Sequence, residues 1–320
     1  MPVVTYKCPS CGSQYEENEL THTVQEAPES LGGAVVYTCP SCGGEVVTDE
    51  TTAAALCYYC HNPVVLKGRV SGDWTPDGVL PFDVTKEEAA EAFLKWAAKK
   101  RFTPKGFSAR QHIDKITGVY YPYWLSKAEV EATFEGKGEN STSVSTANHI
   151  VTTTKHYRVM RKVRMTFENL VRPALQKQDR LLADGVHPYD LGKVKPFNDG
   201  YLSGFMAERR DVEAAQLAEG LQEEVKGYAE KLILPKDQYD RVSGSTTVGD
   251  MQTSHRYLLL PAWVVTYRAP NGKIDYYIVN GQTKAACGIL PVDKGRLLGA
   301  CAGIAAAVAL LVCVGGYFIW

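Results

Sequence analysis

The last 24 residues of the chain, Leu297 to Trp320, contain no charged side chain. As an α-helix this run would be about 36 Å long, which exceeds the roughly 30 Å hydrocarbon core of a bilayer. We therefore expect a single transmembrane helix over 297–320. Lys294 and Arg296 precede the run and no basic residue follows it, so the charge bias places the preceding residues on the cytoplasmic side of a cell membrane. The alternative is a buried core helix, although core helices of this length usually keep a polar face.

The N-terminal part of the chain is rich in cysteine and acidic. Six of the nine cysteines form CxxC pairs within the first 60 residues, where Lys7 stands against eight acidic side chains. Residues 1–7 lack the features of a secretory signal, so these pairs predict metal binding rather than disulfides. With 45% hydrophobic and 22% charged residues, the chain as a whole has the composition of a globular protein.

Two of the pairs have the spacing of a zinc ribbon. Cys39 and Cys42 lie in a Cys-Pro-Ser-Cys-Gly motif, and Cys57 and Cys60 follow after a segment long enough for a short hairpin. Each pair presents two thiolates from a tight turn, and four thiolates close the tetrahedral shell of Zn²⁺. We therefore predict a complete ribbon over 36–67 with structural Zn²⁺ as the cofactor; iron is the alternative metal.

The first pair, Cys8 and Cys11, has no second pair before Thr38. We expect a half-ribbon over 1–30, within a ribbon region that spans 1–67. The pair is a candidate for metal binding with three alternatives open. It is metal-free, it takes His22 as a further ligand, or it competes with Cys57 and Cys60 for the second pair.

The middle of the chain predicts an α+β fold with two units. In the first unit, 79–172, a helix over 85–100 begins at a Thr85–Glu88 capping box, and strands follow over 118–134 and 149–167 with a polar loop over 136–148 between them. In the second unit, 173–293, we expect a helix from about Asp211 to Leu232 and a hairpin of 258–269 and 274–280 around Asn271-Gly272. Glycines in 68–78 predict a linker between the ribbon and the first unit.

The two units resemble each other in sequence. Pro81-Phe82-Asp83 matches Pro196-Phe197-Asn198 ahead of each helix, and Tyr121-Pro122-Tyr123-Trp124-Leu125 matches Leu260-Pro261-Ala262-Trp263-Val264 later in each unit. We interpret this as a duplicated module of one helix and an antiparallel sheet. The tryptophans are predicted to fill the core, and a ligand-binding aromatic box is the alternative.

No enzyme motif is evident. The chain contains no GxxxxGK[ST], GxSxG, HExxH or GxGxxG sequence, so we expect no catalytic site. The acidic ribbon also suits nucleic acid poorly, because phosphate neutralisation supplies most of that affinity. A basic strand face, formed by His156, Arg158, Lys162 and Arg164, is either solvated sheet surface or a contact with anionic headgroups.

The sequence resembles a family of bacterial membrane-anchored zinc-ribbon proteins, which carry labels such as transcription factor IIB type zinc ribbon or primosomal helicase. The motifs that carry the resemblance are Cys39-Pro40-Ser41-Cys42-Gly43, Val47-Thr48-Asp49-Glu50, Cys57-x2-Cys60, Asn62 to Leu66, Tyr121 to Leu125, Tyr201 to Phe205 with Ala207-Glu208, and Asn280 to Thr283 with Leu290-Pro291. The resemblance implies ligation by the cysteines of the complete ribbon. It also implies phage-shock-type or flotillin-like membrane proteins as partners. This chain has no helicase motor motifs in its sequence, so it does not support the helicase label.

We therefore expect a membrane-tethered cytosolic adaptor that recruits or scaffolds other membrane-associated proteins in envelope stress. The alternative is a membrane-associated nucleic-acid or transcription-related factor, for which the ribbon is the supporting feature. A third hypothesis, redox or metal sensing, rests on Cys8 and Cys11. The GxxxG spacing of Gly299 and Gly303 leads to the further hypothesis of a homo-oligomer through the C-terminal helix.

Overall fold

The fold is a mixture of helix and sheet with one apolar helix at the C-terminal end. The computed structural model describes residues 5–7, 14–16, 30–31, 34–39, 42–43, 45–57, 63–66, 70, 72–104, 107, 113–145, 149–176, 180–268 and 274–319. Its helices are α1 Lys86–Ala98, α2 Arg180–Gly185, α3 Ala218–Leu232 and α4 Lys294–Ile319. Its strands are β1 Thr5–Lys7, β2 Gln14–Glu16, β3 Ser30–Leu31, β4 Ala34–Thr38, β5 Glu45–Asp49, β6 Thr52–Leu56, β7 Pro63–Val65, β8 Gly78–Val79, β9 Ile113–Ser145, β10 Ile150–Pro173, β11 Met206–Glu208, β12 Arg241–Arg268, β13 Ile274–Asn280 and β14 Ala286–Cys287.

One large sheet organises the chain. Its strand order is β14-β13-β12-β9-β11-β6-β7, with β10 paired to β9 and β8 paired to β12. The antiparallel pair of β9 and β12 forms the centre, and β10 and β13 continue the sheet on either side. The predicted second hairpin is confirmed by the pairing of Arg268 with Ile274; its turn, Asn271-Gly272, lies outside the described residues.

The register of the central pair brings the two Pro-x-Trp motifs together. Tyr121 of β9 pairs with Leu260 of β12, the matching position of the second motif. The short strands follow the same arrangement, since β8 runs parallel to β12 at Leu258 and β11 runs parallel to β9 at Val119. The strand pairing around the Tyr121–Leu260 crossing is therefore the same after a twofold rotation.

Hydrogen bonds from the two tryptophans repeat with the same symmetry. The indole N–H of Trp124 donates to the carbonyl oxygen of Val212 at 2.8 Å, and that of Trp263 donates to the carbonyl oxygen of Val84 at 2.9 Å. Both rings lie in the main hydrophobic core. The prediction that they fill the core is confirmed, and each buried N–H has the partner that burial requires.

The indole bonds give a second way to align the two parts of the chain. Aligned on the valines that accept these bonds, Phe82 lies opposite Arg210, whereas the sequence motifs align Phe82 with Phe197. The side chains agree with this assignment. The ring of Phe82 packs edge-on against Trp263 with centroids 5.0 Å apart, and the guanidinium of Arg210 lies 5.1 Å from the ring centroid of Trp124.

The first helix begins as its sequence predicts. The hydroxyl of Thr85 accepts from the Glu88 N–H, and the Glu88 carboxylate accepts from the Thr85 N–H. This capping box satisfies two amides that the helix itself cannot pair. Ala89, Phe93 and Ala97 then recur at helical spacing and are buried, which fixes the face that α1 turns to the sheet.

The start predicted for the second helix is wrong. Glu213 begins a capping box for a 3-10 turn, Ala214–Leu217, and the α-helix starts only at Ala218. Asp211 stays outside the helix because its N–H donates to the carbonyl oxygen of Ala174 at 3.0 Å. The predicted end at Leu232 is confirmed.

The core has layers on both faces of the sheet. α1 and α3 cover one face on opposite sides of the central crossing: Phe93 packs near Tyr277, and Leu221 and Val225 pack near Phe134. α2 and the segment after it cover the other face. The buried residues of that second layer are Leu80, Tyr123, Ala183, Val186, Tyr189, Leu258, Leu260, Ala262 and Ile278.

The polar loop predicted over 136–148 is wrong for the residues that the structure describes. β9 continues to Ser145. β10 pairs with it along the described segment, and β12 pairs with it from Glu139 back towards its start. Hydroxyl pairs between β9 and β10 stabilise the end of the segment, such as Ser141 with Thr154 at 2.9 Å and Ser143 with Thr152 at 2.8 Å. The polar composition of this region therefore reflects solvated strands.

The segment predicted as a linker packs on the core instead. Val70 is buried in the main cluster, and the ring of Trp74 lies beneath the guanidinium groups of Arg209 and Arg210 at 4.5 and 4.9 Å. Cation–π contacts of this kind favour one fixed position of the segment. The N-terminal hairpins are thereby joined closely to the main body.

Candidate metal centre

Cys39 and Cys42 lie where a hairpin turns. β4 and β5 pair from Ala34 with Asp49 to Thr38 with Glu45, so Cys39 is the first residue beyond the ladder. The N–H of Gly43 donates to the carbonyl oxygen of Cys39 at 2.8 Å, and Gly43 has φ of 71°. This left-handed conformation suits glycine and closes the turn tightly around the thiols.

Cys57 comes from a second hairpin. It follows β6 directly, and β6 pairs with β7 from Leu56 with Pro63 to Ala54 with Val65. The residues 58–62 that close this hairpin, Cys60 among them, lie outside the described residues. The described structure thus places Cys39 and Cys42 at the end of one hairpin and Cys57 at the end of a strand of the next.

The three described thiols converge. The sulfur atoms of Cys39, Cys42 and Cys57 all lie within 4.8 Å of one another, and the Cys42 and Cys57 sulfurs are 3.7 Å apart. A tetrahedral ion with Zn–S bonds of about 2.3 Å holds its sulfurs about 3.8 Å apart. A disulfide would need about 2.05 Å. The cluster therefore has the spacing of thiolates around a metal ion.

The site is half enclosed. Cys39 and Cys57 are buried in a small cluster with Tyr37, Val64 and Leu66, whereas Cys42 is exposed. Thiolates that are shielded on one side and open on the other can receive an ion from solvent and then hold it away from water. The position suits a structural site.

Polar contacts connect the two hairpins that carry Cys39, Cys42 and Cys57 to the main sheet. β6 pairs with β11, which in turn pairs with β9. The hydroxyl of Thr51 donates to the Glu208 carboxylate at 2.8 Å, and the Arg209 N–H donates to the Thr51 carbonyl oxygen at 2.7 Å. In the same turn, Asp49 accepts from the amides of Thr51 and Thr52. These supporting residues were not found from the sequence, because Glu208 and Arg209 lie far along the chain.

The predictions for Cys8, Cys11 and His22 concern residues outside the described part of the chain. The same is true of Cys60. The structure therefore places three of the six candidate cysteine ligands, Cys39, Cys42 and Cys57, and these three lie together.

The apolar C-terminal run forms a helix, α4, from Lys294 to Ile319. An 18-residue window within Lys294–Cys313 has a mean hydropathy of 2.1, and none of that window is buried by the described residues. The helix is long and apolar enough to cross a membrane. A core helix would be mostly buried, and the described part of the chain does not bury this one.

The basic strand face is a paired surface. On β10, Lys162 and Arg164 both contact the Glu131 carboxylate, at 3.2 and 2.7 Å, and His156 lies 3.2 Å from Glu139. Hydrogen bonds from Arg164 and Lys162 lower the pKa of Glu131. The glutamates of β9 thus offset much of the positive charge, which favours a solvated sheet surface over a headgroup contact.

No family model and no solved structure matches the chain. It is 29% identical over 248 residues to a protein of Bacillus subtilis (strain 168) described as "Uncharacterized protein YdjG". That similarity covers 75% of this chain and 71% of the relative. The relative's description states no activity, so the cysteine cluster and the apolar helix are the features of this chain that bear on its function.

Proposed function

We propose that the chain is a non-enzymatic adaptor held at the cytoplasmic face of a cell membrane by α4, and that it presents a structural zinc ribbon to other membrane-associated proteins. The observation that carries the proposal is the convergence of Cys39, Cys42 and Cys57 from two hairpins on a chain that also has an exposed, membrane-length helix. Membership in the bacterial membrane-anchored zinc-ribbon family, and partners of the phage-shock or flotillin kind, are part of this proposal.

Zinc is the proposed ion because four thiolates give it a closed tetrahedral shell. Cys60 would supply the fourth thiolate. A closed shell leaves no position for water or substrate, so the ion would hold the two hairpins together without doing chemistry. The ribbon would then be a recognition element.

The repeated contacts around the central crossing support a second part of the proposal, an internal duplication. Each copy would comprise a short strand, a helix, a long strand and the strand that follows and pairs with it: β8, α1, β9 and β10 in one, and β11, α3, β12 and β13 in the other. The paired indole bonds to Val84 and Val212 are the strongest support. Each short strand pairs with a long strand of the other copy, so the copies interlock.

The adaptor proposal is tested in cells with the full-length chain. We expect it to stay in the membrane fraction after an alkaline carbonate wash and to co-purify with a reproducible set of membrane proteins. The Cys39→Ser, Cys57→Ser double variant should stay in the membrane but lose those proteins. A matched double variant on α4, Cys301→Ser with Cys313→Ser, removes two exposed thiols and should keep them.

Release of the chain by the carbonate wash would contradict the anchor. Recovery of the same partners with both double variants would contradict recognition through the ribbon. Loss of the partners on nuclease treatment would instead favour the nucleic-acid alternative, for which the acidic N-terminal segment is a counterargument.

A further inference from the structure

The segment 99–103, which directly follows α1 and is called the loop below, contacts the start of α4. The N–H of Asp293 donates to the carbonyl oxygen of Phe102 at 2.7 Å, and the Arg296 guanidinium donates to the carbonyl oxygen of Thr103 at 2.8 Å. The hydroxyl of Thr103 in turn donates to the Lys100 carbonyl oxygen at 2.9 Å. The loop is therefore held at the level where the apolar part of α4 begins.

The main body also holds the start of α4. Leu290, only four residues before Lys294, packs against the main core, and the Asp293 carbonyl oxygen accepts from the Leu297 N–H at 3.0 Å. The helix thus leaves the body in a defined direction. If α4 crosses a membrane, the loop over 99–103 must lie close to the membrane surface.

The chemistry of this loop fits that position. Lys99, Lys100 and Arg101 are consecutive and exposed, and Lys294 and Arg296 add two more positive charges at the same level. The acidic residues of α1, Glu87, Glu88 and Glu91, lie instead in its first two turns. One acidic residue, Asp293, lies at the level of the loop, where its carboxylate accepts from the Arg296 N–H at 3.1 Å. The positive charge is concentrated at the end of α1 that meets α4.

Exposed apolar side chains accompany the positive charge. Phe102 is 36% exposed, Val292 is 55% exposed and Ile289 is 71% exposed. Basic and apolar side chains together are the combination that binds the boundary between headgroups and acyl chains. The basic face of β10, in contrast, has much of its charge offset by the glutamates of β9.

We propose that residues 99–103, with Lys294 and Arg296, form a headgroup-binding surface for anionic phospholipid, which fixes the orientation of the body on the membrane. The proposal rests on the membrane anchor proposed above. It adds a lipid specificity that an anchor alone does not have, because a helix can span neutral and anionic bilayers equally. Positive residues after α1 also complement the dipole of that helix, a role that does not depend on the lipid.

The experiment uses the full-length chain in nanodiscs of phosphatidylcholine, with or without about a third phosphatidylglycerol. Amide hydrogen exchange is measured for residues 99–103. One basic residue at an anionic surface changes the local binding equilibrium by about fivefold, so we expect exchange in the loop to slow by at least about fivefold in the anionic discs. Residues 137–145 of β9 serve as the internal reference and should exchange alike in both lipids.

Two charge-removing variants give the controls. Lys99→Gln, Lys100→Gln and Arg101→Gln together should abolish the difference between the lipids, while exchange in α1 shows that the fold is kept. Lys137→Gln, Lys155→Gln and Arg158→Gln on exposed strand positions remove the same charge and should keep the difference.

Equal exchange of the loop in both lipids, with the chain still resistant to carbonate, would overturn this proposal and leave the anchor standing. Extraction of the chain by carbonate would overturn both. Persistence of the lipid effect in the loop variant would also overturn it, because the named cations would then not be its cause.

Discussion

At the scale of single residues, the two tryptophans show what sequence can and cannot give. Their spacing from a proline predicted that Trp124 and Trp263 would be buried, and both are. The acceptors of their N–H groups were not predictable, since these lie 88 and 179 residues away. A buried indole needs some acceptor, but only the folded topology selects Val212 and Val84.

The equivalence of these two bonds leads to a prediction. Trp124→Phe and Trp263→Phe each remove the indole N–H that the carbonyl oxygen of Val212 or Val84 accepts. We expect each to lower the free energy of unfolding by about 1–3 kcal/mol, and by similar amounts. Denaturant unfolding of the detergent-solubilised chain measures this.

Tyr276→Phe is the matched control, because Tyr276 is 58% exposed and should change little. The equivalence would be contradicted if one tryptophan variant resembled this control while the other was strongly destabilised.

The candidate metal ligands show the same limit of sequence-based prediction. CxxC spacing predicted that Cys39, Cys42 and Cys57 would share a site, and the three sulfurs do lie together. Local spacing is sufficient here because two short hairpins bring the thiols close. The residues that fasten those hairpins to the sheet, Glu208 and Arg209, were missed because their contacts are non-local.

At the scale of elements, prediction worked where a local signal set the boundary. The capping box at Thr85 placed the start of α1, and the Asn-Gly turn placed the hairpin of β12 and β13. It failed where pairing overrides composition. Residues 136–145 are rich in Gly, Ser and Thr, which predicts a loop, but β10 pairs with the whole segment and β12 pairs with residues 136–139, so the segment is a strand.

Glycine-to-alanine substitutions can distinguish a closely packed strand position from an open helix position. A Cβ at Gly136 would overlap the Ser243 carbonyl oxygen across the ladder, whereas a Cβ at Gly227 in α3 would meet nothing within 4 Å. Gly136→Ala should therefore lower the free energy of unfolding by about 1–3 kcal/mol. Gly227→Ala should raise it by about 0.5–1 kcal/mol, since alanine favours the helix.

Thermal unfolding of the two variants and the wild type measures these changes in stability. A neutral or stabilising Gly136→Ala would mean that β9 and β12 do not approach as closely as described. A destabilising Gly227→Ala would mean that α3 packs against something at that position.

At the scale of the whole molecule, one continuous sheet connects the metal centre to the body from which α4 extends. β6 carries Cys57 at its end and reaches β9 through β11, and the segment before α4 packs on the same core. The sequence predicted separate units, because motif boundaries do not reveal which strands pair. In the structure, strands from both predicted units pair within one sheet, so a structural change at the cysteine cluster can reach the body through paired strands.

The account depends most on a zinc ion bound by thiolates alone, and X-ray absorption at the zinc edge tests it directly. For the full-length chain purified from membranes, we predict zinc with four sulfur neighbours at about 2.3 Å. The Cys57→Ser variant should lose that shell and Cys313→Ser should keep it. Absence of zinc, or a shell dominated by nitrogen and oxygen, would contradict the account.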